Sequence, residues 1–191
     1  VSAAMGLLKM DENSNLDLLT RKKSNEEGKS SGDMVNVELS ANIYRYGVSI
    51  DAARVGALEE VKNDDILKYT VEIKNVVSDE VKKQRIVKVL EGVRNITDYS
   101  KQSRLLTDFT PDFVLISLDN NYTHRLQKAI EMDDNRRIDV KRLTQIVKEM
   151  LGSGSKVLFG SISGCVENLD EVIEAMKGLG IESLSVKEAF D

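Results

Sequence analysis

A chain of 191 residues that is 41% hydrophobic and 31% charged, with a net charge of −5, has the composition of an ordinary globular protein, one domain long. It contains no apolar run long enough to cross a bilayer, and its opening Val1-Ser2-Ala3-Ala4-Met5 lacks the basic segment of a secretion signal, so a cytoplasmic location with no membrane partner is expected. A single cysteine, Cys165, excludes an internal disulfide, and with one histidine, His124, it cannot complete a conventional structural zinc site; no metal or other cofactor is expected.

Position 1 is Val, and the first ten residues read like a strand end in a fragment of a longer protein. Residues 11–33 are dominated by Asn, Ser, Gly, Lys and Glu, and so many polar residues predict a long flexible insertion, an arm that occupies most of 1–34, with an α+β core over 35–191. Leu16, Leu18 and Leu19 give the arm a docking cluster, and Arg21, Lys22 and Lys23 are candidate contacts to a polyanion. From residue 35 the pattern alternates, with Val35, Val37, Leu39, Ala41 and Ile43 apolar, the signature of a strand with one wet face. The apolar set then slips by one residue to Tyr44, Tyr46, Val48 and Ile50, which predicts a bulge or bend at 42–44. Both tyrosines are expected in the core, with base stacking as the alternative use of an aromatic on a sheet. A short helical turn is predicted within 51–61, and Tyr69, Val71 and Ile73 alternate as a further strand.

The strongest functional signal lies over 80–118. Ser78 is placed to cap a helix, with Asp79 and Glu80 against its N-terminal dipole, and Ile86, Val89, Leu90, Val93 and Ile96 recur at helical spacing on one face that is expected to meet a core. Between Lys82 and Arg104 seven cations face only Glu91 and Asp98, a net charge of +5 inside a chain whose remaining residues sum to −10. Clustered Lys and Arg, rather than net charge, make a phosphate site, and a solvated helix face is the plain alternative. After the helix, Ser100-Lys101-Gln102-Ser103-Arg104 supplies a point charge, a planar fork and two neutral hydrogen-bonding side chains, a mixture suited to a sugar-phosphate backbone. Arg94, Lys101, Gln102, Ser103 and Arg104 are therefore the first candidate contacts. Pro111 then leads into Phe113-Val114-Leu115-Ile116, an unbroken apolar run that predicts a central strand covered on both faces.

Residues 123–132 and 139–151 read as helices joined by the charged turn Asp133-Asp134-Asn135-Arg136-Arg137. Gly152-Ser153-Gly154-Ser155 is not a phosphate loop of the Walker kind, because a helix precedes it and the strand Val157-Leu158-Phe159 follows. A helix over 169–179, Gly180 and a strand over 181–186 close the chain as a β-α-β unit. No catalytic triad is visible: His124 sits in an Asn-rich turn and is expected at the surface, Cys165 is expected to pack as a small residue, and the pairs Asp64-Asp65 and Asp133-Asp134 match no metal-binding pattern.

Three segments in order carry a family resemblance. Asp17-Leu18-Leu19-Thr20-Arg21, then Val35-Asn36-Val37-Glu38-Leu39-Ser40-Ala41-Asn42-Ile43-Tyr44-Arg45-Tyr46 with Ile50-Asp51 and Arg54-Val55-Gly56, then the helix from Arg85 with Lys101-Gln102-Ser103-Arg104 and Phe109-Thr110-Pro111, resemble the DevR-type autoregulator family. That family supplies the backbone subunit of type I CRISPR interference complexes (Cascade), and the resemblance covers most of residues 1–118. It implies a non-catalytic protein with a modified RRM-like, ferredoxin-like core that binds crRNA, meets target nucleic acid through the guide, oligomerises head to tail and contacts other Cascade subunits. Ser103 and Arg104 match the family's polar loop element, whereas Asp98-Tyr99-Ser100 stand where the family carries Gly-Gly. The family's N-terminal strand and first helix are not found here. A ribonucleolytic relative and a DNA-binding transcriptional regulator are the rival expectations.

Overall fold

The computed structural model of the chain describes residues 1–9, 15–24, 30–39, 42–65, 68–97 and 108–191, with backbone alone for 15–24, 30–39, 63–65 and 68. Its strands are β1 (Met5–Gly6), β2 (Asn15–Ser24), β3 (Ser30–Leu39), β4 (Tyr44–Arg45), β5 (Ala57–Asp65), β6 (Lys68–Asn75), β7 (Phe113–Leu118), β8 (Lys156–Ser161) and β9 (Ser183–Leu184). Its helices are α1 (Asp79–Arg94), α2 (Val140–Gly152), α3 (Leu169–Gly178) and α4 (Val186–Phe190), with a 3-10 turn at Arg125–Lys128. The fold is a mixture of α and β with several small sheets, compatible with the expected α+β class.

The core gathers around the three-stranded sheet β7-β8-β9. β7 runs antiparallel to β8, from Phe113 opposite Ser161 to Leu118 opposite Lys156, and β8 runs parallel to β9 through the crossover helix α3. The β-α-β unit expected at the end of the chain is therefore present, although its last strand is only two residues long. Because side chains alternate, Phe113 and Leu115 of β7 join Val157 and Phe159 of β8 on one face, under Leu143 and Val147 of α2 and Val172 and Met176 of α3. Phe113 and Phe159 meet with ring centroids 5.1 Å apart. On the other face Val114 and Ile116 meet Val186, Ala189 and Phe190 of α4. β7 is covered on both faces, as its apolar run predicts, but it lies at the edge of this sheet and β8 takes the centre. An unbroken apolar run reports two covered faces and says nothing about which strands flank it.

The ends of these helices follow from local chemistry. Asp139 caps α2 by accepting from the Arg142 amide at 2.9 Å. At the other end Gly154 takes a left-handed φ of 86°, so that the Ser155 amide reaches back to the Met150 carbonyl at 3.1 Å before β8 begins. The Gly-Ser-Gly-Ser segment is thus a helix stop. Gly180, at φ 78°, ends α3 in the same way. The expected helix over 123–132 shortens to the 3-10 turn. The stretch beyond it forms a tight turn in which Asp133 Oδ1 accepts from the Asn135 and Arg137 amides, each at 2.9 Å, and Met132 bridges to Ile138. A short polar side chain that bonds the backbone two residues on competes with the helix for those amides.

The last helix, α4, was not expected. Ser185 Oγ accepts from the Glu188 amide at 3.2 Å while the Glu188 carboxylate accepts from the Ser185 amide at 2.9 Å, a reciprocal capping box. The Ser185 hydroxyl donates to the Glu188 carboxylate at 2.7 Å, and this bond, with the one from the Ser185 amide, holds the Glu188 carboxyl below the usual carboxylate range. Ser185→Ala is expected to cost about 1 kcal/mol, read as a lower urea midpoint at unchanged slope; an unchanged midpoint would show that the box does not hold α4. Gly160 is the strand position that lets α4 approach, since a Cβ there would lie 2.8 Å from Ala189 Cβ and 2.9 Å from the Ser185 carbonyl oxygen.

The N-terminal half is built from two-stranded pieces. The stretch expected as an irregular arm instead contains β2 and the start of β3, paired antiparallel from Asn15 opposite Leu39 to Ser24 opposite Ser30. In this register Leu19 stands opposite Val35, whereas Leu16 and Leu18 stand opposite Glu38 and Asn36, so the pairing rests on backbone hydrogen bonds that a composition dominated by polar residues conceals. β3 is described to Leu39, and Tyr44 and Arg45, expected on the same long strand, pair instead with Gly6 and Met5 of β1. The helical turn expected within 51–61 is a turn at 52–56 followed by β5, which pairs with β6 as a hairpin; β6 contains the predicted alternation Tyr69, Val71, Ile73. Val61, Val71, Ile73 and Tyr69 share one face of that hairpin by register and are all exposed. Among the described residues no helix is long and apolar enough to cross a membrane.

Candidate nucleic-acid interface

α1 starts where the sequence places it. Ser78 is its N-cap, in extended backbone, and its side chain accepts from the Val81 amide at 3.4 Å, with Asp79 and Glu80 in the first turn. The apolar stripe does not meet a deep core, however. No residue of α1 is buried; Ile86, Leu90 and Val93 are half-buried, while Val89 and Ile96 are exposed. The helix meets α4, and Arg94 Nη1 anchors the contact by donating to Asp191 Oδ1 at 3.1 Å. Five apolar residues at helical spacing make a face, but how deeply it is covered depends on what the rest of the chain brings to it, and α4 is only five residues long.

The cations divide into those already engaged and those that are not. Lys82 donates to Asn75 Oδ1 at 2.6 Å, Lys88 pairs with Glu91 at 2.6 Å on the helix surface, and Arg94 is committed to Asp191. Lys83 and Arg85 are exposed and make no ion pair among the described residues. An exposed pair such as Lys88–Glu91 contributes little to stability and is readily exchanged for a phosphate. Among the described cations of the helix, Lys83 and Arg85 are thus the most available, and Arg94, the helical residue singled out from the sequence, is held as a structural anchor. Their charge was visible in the sequence; their freedom from a carboxylate partner depends on neighbours that spacing does not reveal.

Lys101, Gln102, Ser103 and Arg104 lie outside the described residues. Arg21, Lys22 and Lys23 fall on β2, where the backbone register sets them opposite Asp33, Gly32 and Ser31, toward the end of the β2–β3 hairpin at which the chain passes from one strand to the other. Of the tyrosines considered for stacking, Tyr44 is exposed on β4, whereas Tyr46 is half-buried; its hydroxyl has no hydrogen-bond partner among the described residues, and burial pushes its pKa up.

Of the groups weighed for catalysis, His124, Asp133, Asp134 and Cys165 take up structural or surface positions, and the side chains of Asp64 and Asp65 lie outside the described residues. His124 is exposed and meets Tyr122 edge-on, with centroids 4.8 Å apart. Asp133 organises its turn, and Asp134 accepts from Lys9 Nζ at 2.7 Å, a hydrogen bond that holds its carboxyl below the usual range. Cys165 packs at the margin of the core, and desolvation raises its thiol pKa, the opposite of what an activated nucleophile needs. Among the described residues no three His, Cys, Asp or Glu side chains gather where they would hold a metal ion. Comparison with protein-family models, with curated proteins and with solved structures gives no match.

Proposed function

We propose that the chain is a guide-RNA-binding backbone subunit of a type I CRISPR interference complex, non-catalytic and self-associating head to tail along crRNA. The observation that carries the reading is the concentration of cations in α1 and the segment after it, +5 between Lys82 and Arg104 in a chain of −5. The exposed Lys83 and Arg85 belong to the described part of that stretch. The resemblance to the DevR-type autoregulator family supports the same residues, with Ser103 and Arg104 as the matching polar element. The modified RRM-like core belongs to this proposal too, and rests on that resemblance. Contact with target nucleic acid through the guide and with other Cascade subunits follows from the same assignment.

The test is a salt titration of RNA binding. With single-stranded RNA, changing Lys101 and Arg104 together to Ala is expected to weaken binding across unrelated sequences and to make the slope of log K against log salt shallower by roughly 1.4, at about 0.7 per lost phosphate contact. An unchanged slope would remove the loop from the interface, and no binding by the unaltered protein would overturn the function.

A further inference from the structure

A second group of cations lies far along the chain from α1, where the 3-10 turn meets α2. In a 3-10 helix residues three apart eclipse, so Arg125 and Lys128, the first and last residues of the turn, stand on the same side. Arg142, Gln145, Ile146 and Glu149 recur on α2 at i, i+3, i+4 and i+7, one face of an α-helix. The two faces border an open cleft of about 310 Å³ lined by these six residues. Arg142 Nε donates to the Lys128 carbonyl at 2.7 Å, which joins the turn to the helix and fixes the guanidinium at the cleft.

We infer that this cleft is an anion site that takes a phosphate group, formed by Lys128 and Arg142 with Arg125 at its edge. The charges around it leave a positive remainder. Glu149, the one carboxylate in the lining, is ion-paired with Arg125 Nη1 at 2.9 Å through one oxygen and accepts from Gln145 Nε2 at 3.4 Å through the other. Glu131 approaches Arg142 Nη2 only to 3.7 Å and is closer to Arg45, at 3.1 Å. Lys128 is exposed and has no ion-pair partner among the described residues. An ammonium point charge beside a guanidinium whose Nε is already anchored is an arrangement suited to a phosphate oxyanion. The same chemistry is met in free phosphate and in the phosphodiesters of RNA; the RNA source rests on the function proposed above.

The two sources separate in one set of titrations. Inorganic phosphate added to the full chain is expected to shift the amide resonances of Lys128, Ala129, Arg142 and Gln145 saturably, and the shifts should disappear in Lys128→Gln/Arg142→Gln. That double variant should also bind an oligouridylate on the order of tenfold more weakly at low salt, with a slope shallower by roughly 1.4. Phosphate shifts with unchanged RNA binding would assign the cleft to free phosphate and remove RNA from it. Absence of phosphate-dependent shifts in the unaltered chain, or their persistence in the folded double variant, would overturn the site. Neither result touches the proposed function, which fails only if the unaltered chain does not bind RNA. A one-dimensional spectrum with native dispersion verifies that the double variant is folded.

Discussion

Phe159→Ala is expected to be the most damaging single truncation in the chain, costing about 3–5 kcal/mol. Phe159 is fully buried on the central strand β8, where it packs on Phe113 and on the α2 and α3 side chains above the sheet. Its removal would leave a cavity at the point where two helices and two strands converge, and β8 can relax little because it is hydrogen-bonded on both sides. Urea unfolding followed by circular dichroism should show the midpoint fall at constant slope. The informative control is Leu90→Ala on α1, a residue only half-buried, which should cost about 1 kcal/mol from lost apolar contact alone. Equal losses at the two positions would mean that α1 is packed far more deeply than against α4.

The second large effect is expected at Asn168, the one polar residue among the buried ones described. Its Oδ1 accepts from the Ile138 amide at 2.8 Å and its Nδ2 donates to the Ile138 carbonyl at 2.9 Å, so one side chain completes both backbone groups of a residue that is itself 3% exposed. Asn168→Ala would leave a buried donor and a buried acceptor unpaired, at about 1–3 kcal/mol each. Equilibrium unfolding should therefore lose about 2–6 kcal/mol, and hydrogen exchange at the Ile138 amide should quicken more than at Val147 in the middle of α2. If Ile138 exchange is unchanged, the pair of hydrogen bonds is not what pins the 133–138 turn to the start of α3.

Where the sequence was informative, the relevant physics is local. Ser78 and Asp139 announce helix starts because a side-chain oxygen satisfies an amide only three residues away. Gly180 and Gly154 announce helix ends because the left-handed turn is cheap only without a Cβ. The run from 113 to 118 and the alternation at 69, 71 and 73 mark strands, because a strand's two faces can be read residue by residue. α4 was legible by the same rule, since Ser185-Val186-Lys187-Glu188 is a capping-box sequence, although the apolar residues before it read as a continuing strand. The surplus of cations in α1 was equally plain, being a property of composition within a short window.

Partnership between distant segments was not legible. Residues 15–24 look like part of a polar loop until 30–39 lies beside them, since a strand's hydrogen bonds belong to its neighbour. The stripe of α1 was clear, yet its burial depended on α4, a hundred residues away and too short to cover it. β7 was recognisable as a strand with two covered faces, but its edge position followed from β8 pairing with β9 on the far side. The cleft formed by Arg125, Lys128 and Arg142 appears only when the 3-10 turn folds back on α2. Helix caps and strand faces depend on atoms a few residues apart, and their signals survive in the linear text. Sheet order, depth of burial and the neutralisation of a charge are set by residues that meet only after the chain has closed loops of tens of residues, and neither spacing nor composition records which loops close.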